Sequence, residues 1–153
     1  MMDAEQEKNW AIACHVSSLA WIALTFVGLG AIPFLNIIAP AAIWYFKKEE
    51  SKLVAEHGKE SLNFQISMSI YGVAASFIVA FVMGLLVLFL FLFSSQDGNF
   101  FAFLFSIATG IGLIFLLCAI VAIAIFQIIV VIMAATKAKE GEFYRYPFNL
   151  RLL

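Results

Sequence analysis

Three long stretches of this sequence, residues 9–46, 61–96 and 98–136, contain no Asp, Glu, Lys or Arg. Nine Lys or Arg and ten Asp or Glu are confined to four short islands between and beside them. Burying an ionised side chain in hydrocarbon costs several kcal/mol, on the order of 3 or more, so charge retreats to the ends of membrane spans. Each stretch exceeds the roughly 20 residues that cross a bilayer as helix. Charged residues make up only 12% of the chain, about half the soluble average of roughly 25%. A water-soluble domain is thereby excluded, because its surface would be one large apolar patch. The net charge of −1 gives no electrostatic basis for binding nucleic acid.

Other shortages narrow the class further. There are two cysteines, Cys14 and Cys118, both inside uncharged stretches and without companion ligands nearby in sequence. They read as small packing residues, not as a disulfide or a metal site. Three prolines and nine glycines leave few places for the chain to break. HExxH, GxSxG and phosphate-loop patterns are absent. His15 and His57 lack a partnered nucleophile in sequence and read as interface packing. The expectation is therefore of no catalytic residue, cofactor or metal, and of a protein that is not an enzyme. The acidic leader MMDAEQEKNW is unlike a signal-peptide n-region, so the first stretch is expected to stay as an anchor.

What is present is apolar: 64% hydrophobic residues and a mean hydropathy of +1.02. The pattern predicts an all-α, polytopic membrane bundle of about four helices in one domain covering residues 1–153. The predicted spans are about 10–29, 33–46, 66–93 and 110–136. Gly28, Gly30 and Pro33 interrupt the first stretch. The arm after them is short and broken, with Pro40 freeing the carbonyl of Asn36, so the turn from Gly28 to Pro40 is expected to be covered by other helices. Trp44, Tyr45 and Phe46 ahead of Lys47 and Lys48 mark a membrane–water boundary.

Residues 52–65 read as an interfacial amphipathic helix. Lys52, Glu56, Lys59, Glu60 and Asn63 fall on one arc, and Leu53, Val54, His57, Ser61, Leu62 and Phe64 on the other. Lys52/Glu56 and Glu56/Lys59 are spaced for ion pairs. Gly72, Ser76, Ala80 and Gly84 form a small-residue seam, expected to receive another helix of the same chain. Residues 94–99 form a turn. Thr109 to Gly112 is the expected break in the last stretch. Lys and Arg crowd residues 47–60 and the tail 137–153, which places both, and the C-terminus, on the cytoplasmic side of the membrane and the 94–99 turn outside.

Two amides lie inside the spans. Gln127 is ten residues from Lys137, about 15 Å along a helix, so it sits near mid-membrane and needs a partner. Asn36 or a freed carbonyl of the broken hairpin is the expected one. The tail alternates aromatic and polar residues past Pro147, which stops a helix. It could lie in the headgroup layer, or fold back onto helix 52–65; the second is expected, since an ordered terminus needs something to pack against.

The strings HGKESLNFQISMSIYG (57–72) and GEFYRYPFNLRLL (141–153), with AIACHVSSLAWI and WYFKKEES upstream, resemble the bacterial membrane family called domain of unknown function 4870. That family is in turn distantly similar to the twenty-kilodalton subunit of the chloroplast Tic import complex. The resemblance implies a compact multi-helix membrane domain with signature positions His57, Glu60, Asn63, Gln65, Tyr144, Arg145, Tyr146 and Pro147. It implies no activity. Asn63 and Gln65 are expected to hold the 47–65 surface to residues 144–147. The function expected is an accessory or interaction subunit presenting that cytoplasmic surface, with membrane lipid and another membrane protein or a second copy as partners. The alternative is a small transporter or translocation component built on the broken hairpin and Gln127.

Overall fold

The computed structural model describes residues 2–28, 34–93 and 98–153. All its regular structure is helical. The first rod, Ala4–Phe26, consists of α1 (Ala4–Val16), one 3-10 turn (Ser17–Leu19) and α2 (Ala20–Phe26). Asp3 caps it by accepting from the Gln6 amide at 2.7 Å, and Glu5 and Glu7 add negative charge at the positive end of the helix. The turn tightens where Ser17 and Ser18 donate their hydroxyls back to the carbonyls of Cys14 and His15. Gly28 closes the rod at φ +82°. Gly30 and Pro33, expected to break the chain, lie outside the described residues.

α3 (Leu35–Lys47) follows a left-handed Phe34 and is 13 residues long, about 20 Å of helix. It packs against α1, the 3-10 turn and α2. Pro40 is fully buried, whereas nothing lies within 4 Å of a Cβ built on Gly28, so cover reaches only the Pro40 end of the described turn. Lys47 rests over the Trp10 ring at 5.0 Å and Lys48 over Trp44 at 4.6 Å, each contact worth about 0.5–1 kcal/mol at an exposed site.

α4 (Lys52–Phe93) is one helix from the charged island into the uncharged stretch, and the Ser51 hydroxyl accepts from Val54 at its start. Glu60 and Asn63, assigned by the helical wheel to the solvated arc, are buried, at 7% and 2% exposure. The wheel knows only one helix, and here the C-terminal tail covers its polar side. The expected Lys52–Glu56 and Glu56–Lys59 pairs do not form among the described residues. Exposed ion pairs join Lys47 to Glu50, and Lys137 to Glu140 and Glu142.

α5 (Gly98–Glu140) runs straight through Thr109–Gly112, where a break was expected. Two helical glycines cost roughly 1 kcal/mol each, whereas opening backbone hydrogen bonds in hydrocarbon costs several kcal/mol, on the order of 2 or more, per group. The small-residue seam is another correction. A Cβ at Gly72 or Gly84 meets nothing within 4 Å, so no described residue of this chain fills it there.

Three helical stretches are long and apolar enough to cross a membrane: Ala4–Phe26, Lys52–Leu92 and Ala102–Glu140. α3 is the short fourth. By its contacts the chain divides into two units: residues up to Ile70 together with Gln127–Leu153, and Tyr71–Phe126. The first contains the core, with Ala11, Cys14, Val54, Phe64, Val131 and Ala134 fully buried.

Candidate functional site, a latched C-terminal tail

α5 ends in a Schellman turn. Gly141 adopts φ +78°, and the amides of Gly141 and Glu142 bond back to the carbonyls of Ala138 and Lys137. Gly141 supplies the left-handed conformation at little cost, which redirects the chain into the tail.

Three hydrogen bonds from tail amides then fasten it to α4. The Tyr146 amide donates to Glu60 Oε1 at 2.9 Å, Leu150 to Ser67 Oγ at 2.9 Å, and Leu153 to Asn63 Oδ1 at 2.7 Å. The Ser67 hydroxyl donates in turn to the Asn63 carbonyl at 2.6 Å. Positions 60, 63 and 67 recur at helical spacing, so one line of α4 offers three acceptors to three amides. An extended segment with Pro147 has no internal ladder of its own, and a buried amide needs a partner.

The Tyr146 side chain goes deeper. Its ring stacks on Phe64, with centroids 4.2 Å apart and planes 11° from parallel. Its hydroxyl lies 3.0 Å from His15 Nδ1, and His15 Nε2 lies 2.9 Å from His57 Nδ1. Both imidazoles are fully buried. Ser61 donates to the Cys14 carbonyl at 2.8 Å, tying α4 to α1 beside this relay.

Proton placement follows from valence. With neutral rings, the arrangement that uses the phenol hydrogen has Tyr146 donating to His15 Nδ1, and His15 Nε2–H donating to His57 Nδ1. His57 Nε2 is then the spare end, and it is buried without a partner. Both rings cannot be doubly protonated without setting two N–H donors face to face across 2.9 Å. Burial, reinforced by Tyr144 and Glu60, pushes the Tyr146 phenol well above its ordinary range and keeps it neutral.

Of the signature positions, His57, Glu60, Asn63 and Tyr146 converge in this latch. Tyr144 stands edge-on to Tyr146, with centroids 5.3 Å apart, while Arg145 and Pro147 are exposed. Gln65 does not hold the tail. It accepts from the Asn36 amide at 2.9 Å, and Asn36 also reaches Ser69 at 3.4 Å. The expected Asn36–Gln127 tether is thus replaced by one to α4, and Gln127 is half-buried. His15 and Ser67 were missed as site residues. The usable signal was that both histidines of the chain lie on apolar helix faces, where each needs a polar partner. Among the described residues no group of three His, Cys, Asp or Glu could hold a metal ion.

The fold and the site together define a helical membrane protein whose C-terminal tail is bonded into its own helix bundle. The chain belongs to the MamF/MmsF family, described as the magnetosome magnetite crystal formation protein family, whose model matches residues 6–153. This corrects the resemblance to domain of unknown function 4870 and, with it, the likeness to the Tic import subunit. Both strings that carried that resemblance, 57–72 and 141–153, fall within the matched residues. No curated protein and no solved structure matches the chain.

Proposed function

We propose that this protein serves magnetite crystal formation as a non-enzymatic subunit of the magnetosome membrane. In this reading it crosses the membrane several times and presents the surface of residues 47–65 and 137–153 on the cytoplasmic side. Another membrane protein, or a second copy of the chain, docks there. The carrying observation is the latch. Three backbone bonds and one buried tyrosine hold a helix-free tail in a single conformation, while Arg145, Phe148 and Arg151 on the same segment stay exposed. A tail that served only to cover the bundle would have little reason to fix exposed cationic and aromatic groups; a preorganised surface binds with less entropy to lose. Membership of a family described by magnetite crystal formation supports the process.

The test is genetic and biochemical together. Cells that form magnetite, deleted for this chain, should make crystals of altered size or number. Complementation with the wild type should restore them, and complementation with Tyr146→Ala should not, although the protein still reaches the membrane. Unchanged crystals in the deletion strain would refute the process. Normal crystals with the unlatched tail would refute the surface.

A further inference from the structure

Beside the latch lies a cleft of about 250 Å³, walled on one side by α4 and on the other by the tail. Lys59 comes from α4, and Arg145 and Arg151 from the tail; all three are exposed, and no ion pair engages them among the described residues. Glu56 and Glu60 also line the cleft, so its side chains set three cations against two carboxylates. One oxygen of Glu60 is already taken by the Tyr146 amide. The latch fixes the backbone next to each of the two arginines: the Tyr146 amide beside Arg145, and the Leu150 amide beside Arg151. Arg151 itself has φ +49°, and its amide bonds the Asn149 side chain at 3.0 Å, which further sets the direction of the segment. Two guanidinium groups and an ammonium brought to one opening provide forked and point donors for tetrahedral oxyanions.

We propose that this cleft binds a phosphate group, and that the phosphate is the headgroup of an anionic phospholipid. Its position favours the lipid over free phosphate. Glu60 is the last charge before the uncharged run that begins at Ser61, so the cleft lies where a spanning helix leaves the hydrocarbon. Phe143 and Leu153 give the cleft apolar walls, and Phe148, Leu150 and Leu152 of the same tail are exposed apolar side chains suited to the acyl boundary. The inference uses the surface of the proposed docking reading, yet it concerns the isolated protein and stands or falls without any crystal phenotype.

The test is native mass spectrometry of the full chain released from nanodiscs of phosphatidylcholine, with or without phosphatidylglycerol. A parallel thermal-shift titration uses inorganic phosphate alone. The variants are Lys59→Gln/Arg145→Gln/Arg151→Gln in the cleft and Lys52→Gln/Lys139→Gln outside it. Retention of phosphatidylglycerol by the wild type, at least fivefold reduced in the cleft variant and unchanged in the control, is the expected result. Phosphate stabilisation lost in the cleft variant, without lipid retention, would keep the oxyanion site and overturn the lipid. Equal retention and equal shifts in all three proteins would overturn the site. Resistance of the tail to carboxypeptidase in each variant confirms that the latch is intact, and Arg145→Lys/Arg151→Lys should restore partial binding where a collapsed cleft would not.

Discussion

The two units of this chain solve opposite problems. The one containing α1 to α3, the start of α4 and the end of α5 buries polar groups and partners most of them: Glu60, Asn63, Ser61, Ser67 and His15 each have a named partner, and His57 Nε2 is left over. In Tyr71–Phe126 no described residue is buried. Phe77, Phe81, Phe91, Ile114 and Phe115 are each more than 60% exposed, and Ser76 and Ser106 return their hydroxyls to their own helices. Such a surface is stable only with hydrocarbon as solvent. Conformational specificity is concentrated in the first unit, and the second mainly has to be apolar. Substitutions should therefore be costly and position-dependent in the one, and tolerated in the other.

The sharpest way to break that contrast is at Tyr146. Replacing it with Ala removes a buried aromatic stacked on Phe64 and leaves His15 Nδ1 without its partner. The expected loss is about 3–5 kcal/mol, with the tail becoming sensitive to carboxypeptidase. Tyr146→Phe should keep the stacking and lose about 1–3 kcal/mol. A tail that stays protected in both would mean the relay does not hold it.

Gly58 comes next. A Cβ there would lie 2.5 Å from Trp44 Cδ1 and 3.0 Å from Trp44 Cβ. The indole cannot swing away freely, because its Nε1 donates to the Ala55 carbonyl at 3.0 Å. Gly58→Ala should destabilise by about 1–3 kcal/mol in thermal unfolding, despite its gain in helix propensity.

Alkali tests the latch without a mutation. The Tyr146 phenol is raised in the fold, whereas the same group in the unfolded chain ionises near ~10. Above that pH the folded state holds the extra proton and the unfolded state does not. Stability from this group is therefore complete below about pH 10 and declines as pH rises, by up to roughly 1.4 kcal/mol per unit. Burial raises the Tyr144 phenol as well and adds to the decline, so Tyr146→Phe should make the slope shallower, and an unchanged slope would assign it to another group.

How much of this was legible in the sequence depends on how many helices each inference needed. Charge segregation concerns one helix and a solvent, and it led to an all-helical membrane bundle with a short second helix. The positions of Glu60 and Asn63 depend on tail residues 86 and 90 positions away, so a single-helix wheel put them in water. Asn36 had several amides and hydroxyls within conceivable reach, and its choice of Gln65 over Gln127 follows from how α3 is set against α4. Thr109–Gly112 failed as a break because glycine's weak local preference competes with backbone bonds that hydrocarbon makes obligatory. The relay needed α1, α4 and the tail at once, and only two isolated histidines hinted at it.

The smallest expected effect is the most discriminating, because it repeats one substitution in the other unit. Gly84 also sits within α4, yet its built Cβ meets nothing within 4 Å. With no clash, only helix propensity and chain entropy remain, and both favour alanine. Gly84→Ala should therefore be neutral or stabilising by up to about 1 kcal/mol, opposite in sign to Gly58→Ala on the same helix. The measurement is a thermal melt of both variants in one detergent, with mass determined by light scattering. A loss of stability at Gly84, or a shift to a smaller species, would mean that a second copy fills the seam of Gly72, Ser76, Ala80 and Gly84. The lipid-facing unit would then carry a specificity of its own, and the contrast between the two regions would fail at that seam.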